Sequence, residues 1–527
     1  MGTPLEVAQL AAVGELLQGR AAKNAELLAE VKADRHASEL YETTVNDAMN
    51  GRMTWPQDAA GVCLDTVTLS PRFGVEQGLK ADGSSKIRPI DDLTRSGCNA
   101  ATSPSEKLQY ESLDTLLAVG RAAGEAFGHD LSLWKADIAS AYRRIPVAPE
   151  HRQFGHVVFS MAGQTMVSQH LVLPFGAVAS VHHWNRVGDM IKTLARRLLH
   201  LPVCRFVDDY FAVERLELAA HALEVFVRLV RALMGTSAIE NRKCDHGNPM
   251  AILGVSVCVT QFGFTFVPDE AKVTKWSRQI AEALRTNRLT GGEASKLSGR
   301  LSWASQHIFR RVGRALLYPI YKQKRARHST INDELRLALT WWLTALQCRK
   351  CELRVWRPVA TRTCQLLCDA RSTPPRVAAF LVIDGCRFYS DAAPPIELME
   401  FLKPRNDGQI TSLEILSIAF GLSTFLEMLR GRNVHVFSDN TSAEHNTSKG
   451  RAKSFDHTMI IHSIWSVALE ESLGLYVSRV ASKDNIADDP SRERYGLVAR
   501  MGAKRMPPQL LRRFHEPAAW ESVRLRK

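Results

Sequence analysis

The sequence predicts a multidomain α+β protein, and three observations carry that expectation. Short β-branched runs alternate with helical stretches over residues 61–260. A mostly helical, basic stretch follows over 261–361. A second strand-and-helix region then occupies 362–495. Before these, residues 1–60 form an N-terminal helical region, with Leu16, Leu27, Leu28 and Val31 at helical spacing. Within the helical stretch, Leu335 to Leu346 is a Trp-bearing helix. Residues 496–527 carry Arg500, Lys504, Arg505, Arg512 and Arg513 and are expected to be a basic C-terminal tail.

Composition excludes several classes. The 527 residues hold 68 Lys+Arg against 55 Asp+Glu, a net charge of +13, with 45% hydrophobic and 23% charged residues. That mixture fits folded domains rather than disorder, and the length allows about three of them. The longest apolar run considered, Ala378 to Ile383, is far too short to cross a membrane. Glu6 and Glu15 interrupt the start, so no secretory signal is read, and Glu6 replaces the Ser or Thr of a myristoylation pattern. An intracellular protein, cytoplasmic or nuclear, with no membrane partner is expected. The positive charge raises the expectation of a polyanionic partner. The ten cysteines are scattered as reduced thiols would be. Cys348, Cys351, Cys364 and Cys368 have zinc-like spacing, but the last two fall in an apolar strand, so ordinary thiols are expected.

Two sets of acids carry the chemistry. In Val203-Cys-Arg-Phe-Val-Asp208-Asp209-Tyr-Phe-Ala-Val213, two apolar strands flank two aspartates, and a tight hairpin would place both at its tip. Leu133-Trp-Lys-Ala-Asp137 is another apolar strand ending in an aspartate. Neighbouring strands presenting such carboxylates can hold two Mg²⁺ ions about 3.5–4 Å apart for in-line phosphoryl displacement. An isolated Asp-Asp pair is usually only a polar turn; the second strand is what lifts this one.

In this order the motifs resemble the reverse transcriptase palm of retroelements. Asp137 resembles the first palm motif, Leu173-Pro-Phe-Gly176 the second, and Phe206-Val-Asp208-Asp209 the third, with Phe where many relatives have Tyr. Lys86-Ile-Arg88-Pro-Ile-Asp91 resembles a fingers strand that holds the incoming triphosphate. Lys243 and then Leu253-Gly254 resemble the lysine motif and the primer-grip hairpin. The resemblance implies that Asp137 and Asp208 ligate both metals while Asp209 tunes the site. It implies nucleotide-binding roles for Lys86, Arg88, Tyr142, Gly176 and Lys243, with Tyr142 as the steric gate against a ribose 2′-hydroxyl. The bland readings are aromatic packing for Tyr142, a helix-entry glycine for Gly176 and solvated strand residues for Lys86 and Arg88. His182 and His183 are expected to be structural, at the start of a helix.

The second set lies in 362–495. A strand Cys364 to Asp369 is followed by Val377 to Ile383, the turn Asp384-Gly385, and Cys386 to Ser390. A helix Ser412 to Leu429, a strand Asn433 to Asp439 and a strand Leu473 to Val480 come next, then Asn485-Ile-Ala-Asp488-Asp489-Pro-Ser-Arg492. This order resembles the ribonuclease H fold, and Asp369, Glu414, Asp439 and Asp488 resemble its four metal-binding acids. Thr411-Ser-Leu-Glu414 also fits a capping box, in which Glu414 would only satisfy helix donors. Asp489 before Pro490 reads as an N-cap, leaving Asp488 for the metal. The family's mobile histidine has no counterpart.

The resemblance therefore implies a right-hand polymerase of fingers, palm and thumb followed by an α/β ribonuclease H-like domain. It implies an RNA-directed DNA polymerase that copies RNA into DNA and cleaves the RNA of RNA–DNA hybrids. The implied cofactor is Mg²⁺ (two per site, Mn²⁺ as substitute), and the implied partners are an RNA template, a DNA primer, the hybrid and dNTPs. Lys296-Leu-Ser-Gly-Arg-Leu-Ser-Trp303 and Arg310-Arg-Val-Gly-Arg314 resemble thumb segments of DIRS-like, tyrosine-recombinase retrotransposons, with gypsy-like LTR elements as near neighbours. Arg310, Arg311 and Arg314, with Lys322, Lys324, Arg325 and Arg327, would track nucleic-acid phosphates. Two rivals stand beside this reading: a catalytically decayed or domesticated nucleic-acid-binding copy, and an RNA polymerase or other template-dependent nucleotidyltransferase on the same palm.

Overall fold

The computed structural model describes residues 12–79, 85–104, 106–307, 312–347, 352–356 and 363–514. The chain divides into two compact units, Met1–Leu253 and Gly254–Lys527. Among the described residues no helix is long and apolar enough to cross a membrane.

The first unit holds two sheets. One comprises β1 (Gln57–Asp58), β2 (Leu69–Leu79), β3 (Ser85–Asp91), β5 (His156–Met161) and β6 (Gln164–Gln169), in the order β1-β6-β5-β2-β3. The other comprises β4 (Leu131–Asp137), β7 (Cys204–Phe206), β8 (Asp209–Arg215) and β9 (Asp245–Gly247), in the order β7-β8-β4-β9. β4 and β8 are central and nearly continuous in apolar side chains, because both faces are covered. Trp134, Tyr210, Ala212 and Phe226 share one core with Trp184 of the helix Val178–Leu198. His182 and His183 lie within that helix, in its second turn. A short strand β10 (Met250–Ile252) ends the unit. Leu253 and Gly254, which follow it, have φ of 49° and 77°, the backbone of a tight two-residue turn.

The N-terminal helices belong to this unit's core rather than standing apart. Leu27 packs with Val67, Leu69, Val158 and Val167. Asn24 donates to the carbonyls of Leu64 and Val67 at 2.8 and 2.7 Å and accepts from Leu69 N–H at 3.0 Å. A charged network is buried deeper. Asp91, at the end of β3, accepts from Arg72 Nε and Nη2 at 2.7 and 3.1 Å and lies 2.9 Å from His170 Nε2. His170 Nδ1 is 2.6 Å from Arg143, which donates to Asp47 at 2.8 Å. Arg72 also donates to Thr44 at 2.7 Å.

These contacts define the histidine's state. Arginine can only donate, so Nδ1 accepts and Nε2 carries the proton toward Asp91. Burial drives the pKa of His170 down, in keeping with a neutral ring. Burial would raise Asp91, but Arg72 and His170 outweigh it and hold the carboxyl well below the usual range.

The second unit begins with β11 (Val255–Thr260), β12 (Gly263–Pro268) and β13 (Glu352–Val355), antiparallel neighbours in that order. Four helices follow β12: Glu270–Thr286, Gly291–His307, Tyr318–Arg325 and Asp333–Gln347. The six-stranded sheet comprises β14 (Thr363–Ser372), β15 (Pro375–Ile383), β16 (Cys386–Ala392), β17 (Asn433–Ser438), β18 (Gly474–Arg479) and β19 (Lys504–Arg505). Its order is β18-β17-β14-β15-β16-β19. β14 to β16 are antiparallel, as two tight connections require, while β17 and β18 join parallel to β14 through helical crossovers. Asp384 and Gly385 have φ of 50° and 77°, the turn expected of Asp-Gly.

The helix Ile410–Thr424 has no solvent-facing stripe: from Ser412 onward it is buried, its polar residues included, between the sheet and the helix Phe455–Glu470. Its continuation to Leu429 is broken at Phe425, where a separate short helix Leu426–Leu429 starts. The helices of 270–347 and the sheet share one apolar core, with Trp341 edge-on to His462 at 5.0 Å.

The expected basic tail is not an extension where it is described. Lys504 and Arg505 form β19 parallel to β16, and Phe514 is fully buried. Arg505 pairs with Asp391 at 3.2 Å and Arg513 with Glu470 at 2.9 Å. Composition suggested solvated cations; the apolar residues between them, Met506, Leu510 and Leu511, dock the segment instead.

Arg72→Met should leave Asp91 buried with half its partners and cost about 3–5 kcal/mol of unfolding free energy. Urea denaturation of this variant should be compared with Arg72→Met/Asp91→Leu. Recovery of part of the loss in the double variant is expected, and equal loss in both would contradict the network's role.

Candidate functional site

The first acid group is built by β4, β7 and β8. Asp137 ends β4 and lies directly opposite Asp209, the first residue of β8. Phe206 pairs with Asp209, so the hairpin turn is Val207-Asp208. This corrects the expectation that both aspartates sit at the tip: Asp208 is in the turn and Asp209 is on the strand. Val207 has φ of 56°, a left-handed conformation that a β-branched residue resists. The turn is held by its carbonyl, which accepts from Trp184 Nε1 at 2.9 Å and from Arg205 Nη1 at 2.8 Å. Arg205 is itself buried and fixed by Asn185 and Asp189. Trp184 and Arg205 escaped the sequence reading because nothing near them in sequence marks a clamp on this turn.

Like charges facing each other across a strand pair repel. Burial, then Asp208 and Asp137, pushes the Asp209 carboxyl up to about 6. Burial and Asp137 also raise Asp208, against the pull of Lys243 and Arg88. Lys243 Nζ lies 3.0 Å from each Asp137 oxygen, with its side chain 61% exposed, so it sits on this acid as a counter-ion. The three aspartates do not bring oxygens as close together as the acids of the second group do, but Asp137 and Asp209, opposed across the strand pair and only partly neutralised by Lys243, are hard oxygen donors of the type a divalent cation takes.

The other residues expected here fall as follows. Lys86 and Arg88, two apart on β3, share one exposed strand face, and Arg88 is felt electrostatically by Asp208. Tyr142 lies in a 3-10 turn, Ala141–Arg144, with its ring edge-on to Phe175 at 5.3 Å and to Trp184 at 6.2 Å. Burial and Asp208 push its hydroxyl up to about 12. Gly176 has φ of 92°, and a Cβ there would meet the Asp91 carbonyl oxygen at 2.8 Å. Its lack of a side chain thus serves a close backbone approach within the fold.

The second acid group gathers on the long sheet. Asp369, Glu414 and Asp439 bring carboxylate oxygens within 4.8 Å of one another. Asp369 lies within β14 rather than at its end, and Asp439 directly follows β17, the parallel neighbour. Glu414 is not a capping residue. The N-cap of its helix is Gln409, which makes no side-chain cap, and Glu414 accepts from Ala370 N–H and from Ser438 Oγ, each at 3.3 Å.

Two further residues fix the cluster. Ser491 Oγ donates to Asp369 Oδ2 at 2.5 Å, and Asn485 Nδ2 donates to Asp369 Oδ1 at 3.3 Å and to the Cys368 carbonyl at 3.0 Å. Both belong to the Asn-Ile-Ala-Asp-Asp-Pro-Ser-Arg segment, where the sequence reading assigned only the acids. Burial first, then the neighbouring acids, raises Asp369 to about 7 and Glu414 to about 9. An all-oxygen set at this spacing could bind a divalent metal such as Mg²⁺ or Mn²⁺.

Asp488 does not join these three. It opens a one-turn helix, Asp488–Ser491, whose N-cap is Ala487, so the expected Asp489 cap is also absent. Both carboxylates are taken by cations: Asp488 pairs with Arg492 at 2.7 Å and Arg494 at 3.0 Å, and Asp489 with Arg494 at 2.8 Å. Local Asp-Pro sequence suggested the cap, but two arginines immediately downstream compete for both carboxylates.

No family model and no curated protein matches the chain. Among solved structures it is similar to a foamy viral protease-reverse transcriptase in complex with RNA/DNA hybrid, at 14% identity and a TM-score of 0.46, over 85% of this chain and 54% of that one. The chain thus spans about half of that protein's length. A dRH form of the foamy viral protein in complex with ds DNA is similar at 14% identity and a TM-score of 0.44, over 85% of this chain and 70% of that one. Its complex with dsDNA gives 14%, a TM-score of 0.43, and coverage of 86% and 84%.

Of the residues expected to track phosphates, Arg310 and Arg311 lie outside the described residues. Arg314 is half-buried ahead of the 3-10 turn Ala315–Leu317. Lys324, Arg325 and Arg327 are exposed, while Lys322 pairs with Glu334 at 3.0 Å. Cys348 and Cys351 also lie outside the described residues. Cys364 and Cys368 are buried free thiols on β14, and burial raises both, which opposes metal-binding thiolates.

The raised acids give a pH signature. The folded state holds protons on Asp369 and Glu414 that the unfolded chain releases from about pH 4 upward. Without divalent cations, stability should therefore fall as pH rises from about 5 to about 8. Added Mg²⁺ should raise the melting temperature more at the upper end than at the lower. A melting temperature equally responsive to Mg²⁺ at both ends would contradict the cluster as a cation site.

Proposed function

We propose that the chain is an RNA-directed DNA polymerase of a retrotransposon with an appended ribonuclease H activity, of DIRS-like or gypsy-like descent. What supports the reading is the presence, in one chain and in this order, of two separate acid groups each built around a pair of neighbouring strands. The first is Asp137 facing Asp209 beside the Val207-Asp208 turn, and the second is Asp369, Glu414 and Asp439. In this reading the first unit supplies fingers and palm, and residues 261–361 supply a thumb.

In the palm, Asp137 and Asp208 would hold divalent cations, and Asp209 adds negative charge from the facing strand. Lys86 and Arg88 present cations on one face of β3 for the triphosphate of an incoming dNTP. Tyr142, wedged against Phe175 and Trp184, forms a rigid wall suited to reading the sugar. Lys243 is positioned to keep Asp137 neutralised. At the second group Asp369, Glu414 and Asp439 would hold the cations, joined by Asp488 once it leaves its arginine pairs, with Ser491 and Asn485 orienting Asp369. Bound Mg²⁺ would supply activation of the attacking hydroxyl or water and neutralisation of phosphate charge at each site.

Purified protein with a primed RNA template, dNTPs and Mg²⁺ should extend the primer. Asp208→Asn should lower extension by about 100-fold or more and spare hybrid cleavage, and Asp439→Asn should do the reverse. Absence of extension by the unmodified protein in both Mg²⁺ and Mn²⁺ would overturn the polymerase reading. Separately, Tyr142→Ala should raise rNTP incorporation by about tenfold or more in the same assay. Unchanged sugar discrimination would remove that residue's role.

A further inference from the structure

The acid cluster is flanked by a guanidinium pair that ordinary cluster geometry does not require. Arg492 lies just past the one-turn helix Asp488–Ser491 and donates through Nε and Nη2 to the same oxygen of Asp488, at 2.8 and 2.7 Å. Arg494 takes the other oxygen at 3.0 Å and bridges to Asp489. Asp488 therefore has both oxygens occupied by cations, while its side chain is only 23% exposed and those of Arg492 and Arg494 are 55% and 59% exposed. The guanidinium groups face solvent and the carboxylate lies behind them.

Arg492 is also coupled to the cluster itself. Its hydrogen bond to Asp488 raises its pKa, and the charges of Asp369 and Asp439 raise it further. It is thus a long, planar, permanently charged donor within electrostatic reach of Asp369 and Asp439 but bound to Asp488. Guanidinium and a divalent cation are competitors for the same carboxylate, and guanidinium and phosphate are natural bidentate partners.

We propose that Arg492 exchanges partners: it occupies Asp488 until a divalent cation recruits that carboxylate to the cluster, and it then contacts a backbone phosphate of the RNA–DNA hybrid beside the cut. The hybrid half of this proposal rests on the nuclease reading above. In that role Arg492 is a substrate-phosphate contact, and Arg494, tied also to Asp489, keeps the neighbouring segment in place. The exchange couples cation binding to substrate binding, since each releases what the other needs.

The test uses the full chain carrying Asp137→Asn and Asp208→Asn, so that the first acid group does not bind the probe. Mn²⁺ titration followed by electron paramagnetic resonance is compared with and without Arg492→Ala. Removing the competing cation should tighten Mn²⁺ binding by about threefold to tenfold. In the cleavage assay Arg492→Ala should raise KM severalfold and make its salt dependence shallower by about one phosphate contact. Arg492→Lys, which keeps the charge without the planar fork, should fall between the two in both measurements.

Mn²⁺ affinity that is unchanged or weakened by Arg492→Ala overturns the exchange. Tighter Mn²⁺ binding with KM and salt dependence unchanged also overturns it, leaving Arg492 a counter-ion alone. Should the chain cleave no hybrid at all, the nuclease reading fails, and the Mn²⁺ arm still decides whether Arg492 competes for Asp488.

Discussion

The carboxylate of Asp91 is removed from water at the end of β3, and its burial dictates much of what surrounds it. A charge in that position is tolerable only with close, well-aligned partners. Arg72 supplies them from the adjacent strand, His170 from beyond β6, and through His170 the chain continues to Arg143 and Asp47. The same few groups thereby tie β3 to the 3-10 turn that contains Tyr142 and to the helix Ala37–Met49. Lys86 and Arg88 are carried on the strand whose end is fixed by this network, and Gly176 presses against the backbone of the same aspartate. A shift in any one element would strand a buried charge. The network's contribution is therefore less to net stability than to a single allowed arrangement.

The two acid groups solve a common electrostatic problem in different ways. Asp137 and Asp209 are forced together by strand register, and Lys243 relieves part of their repulsion from outside. Asp369 and Glu414 are enclosed instead, with hydroxyl, amide and backbone donors but few cations at hand, and they respond by holding protons. Enclosure without neutralisation makes the second group the more avid for an added cation. Exposure of Lys243 makes the first group the more easily rearranged.

Much of this was readable in the sequence wherever a short-range rule applied. The strands ending near Asp137 and Asp439 follow from apolar runs, and Asp384-Gly385 follows from the backbone its turn demands. Reading failed where a distant partner decided the outcome. The turn Val207-Asp208 is shifted by one residue because Trp184 and Arg205 reward a left-handed valine. Asp489 loses its cap role to Arg494. Ser491 and Asn485 looked like loop residues until β14 brought Asp369 between them. Glu414 showed the reverse: a capping box and a cluster acid are identical in local sequence, and only Ala370 and Ser438 across the fold separate them.

The docking of Lys504 and Arg505 beside β16 has a consequence for how the second unit guards itself against association. Without them β16 would present a free row of backbone donors and acceptors, the template on which a strand from another molecule can grow. The segment on it is only two residues long, pairs with Phe388 and Tyr389 at the middle of β16, and is cationic, so it interrupts the edge while offering a poor surface for further pairing. Residues that look by composition like a solvated tail thus work as a terminator of the sheet, and shortening the chain before them would open that edge to other copies.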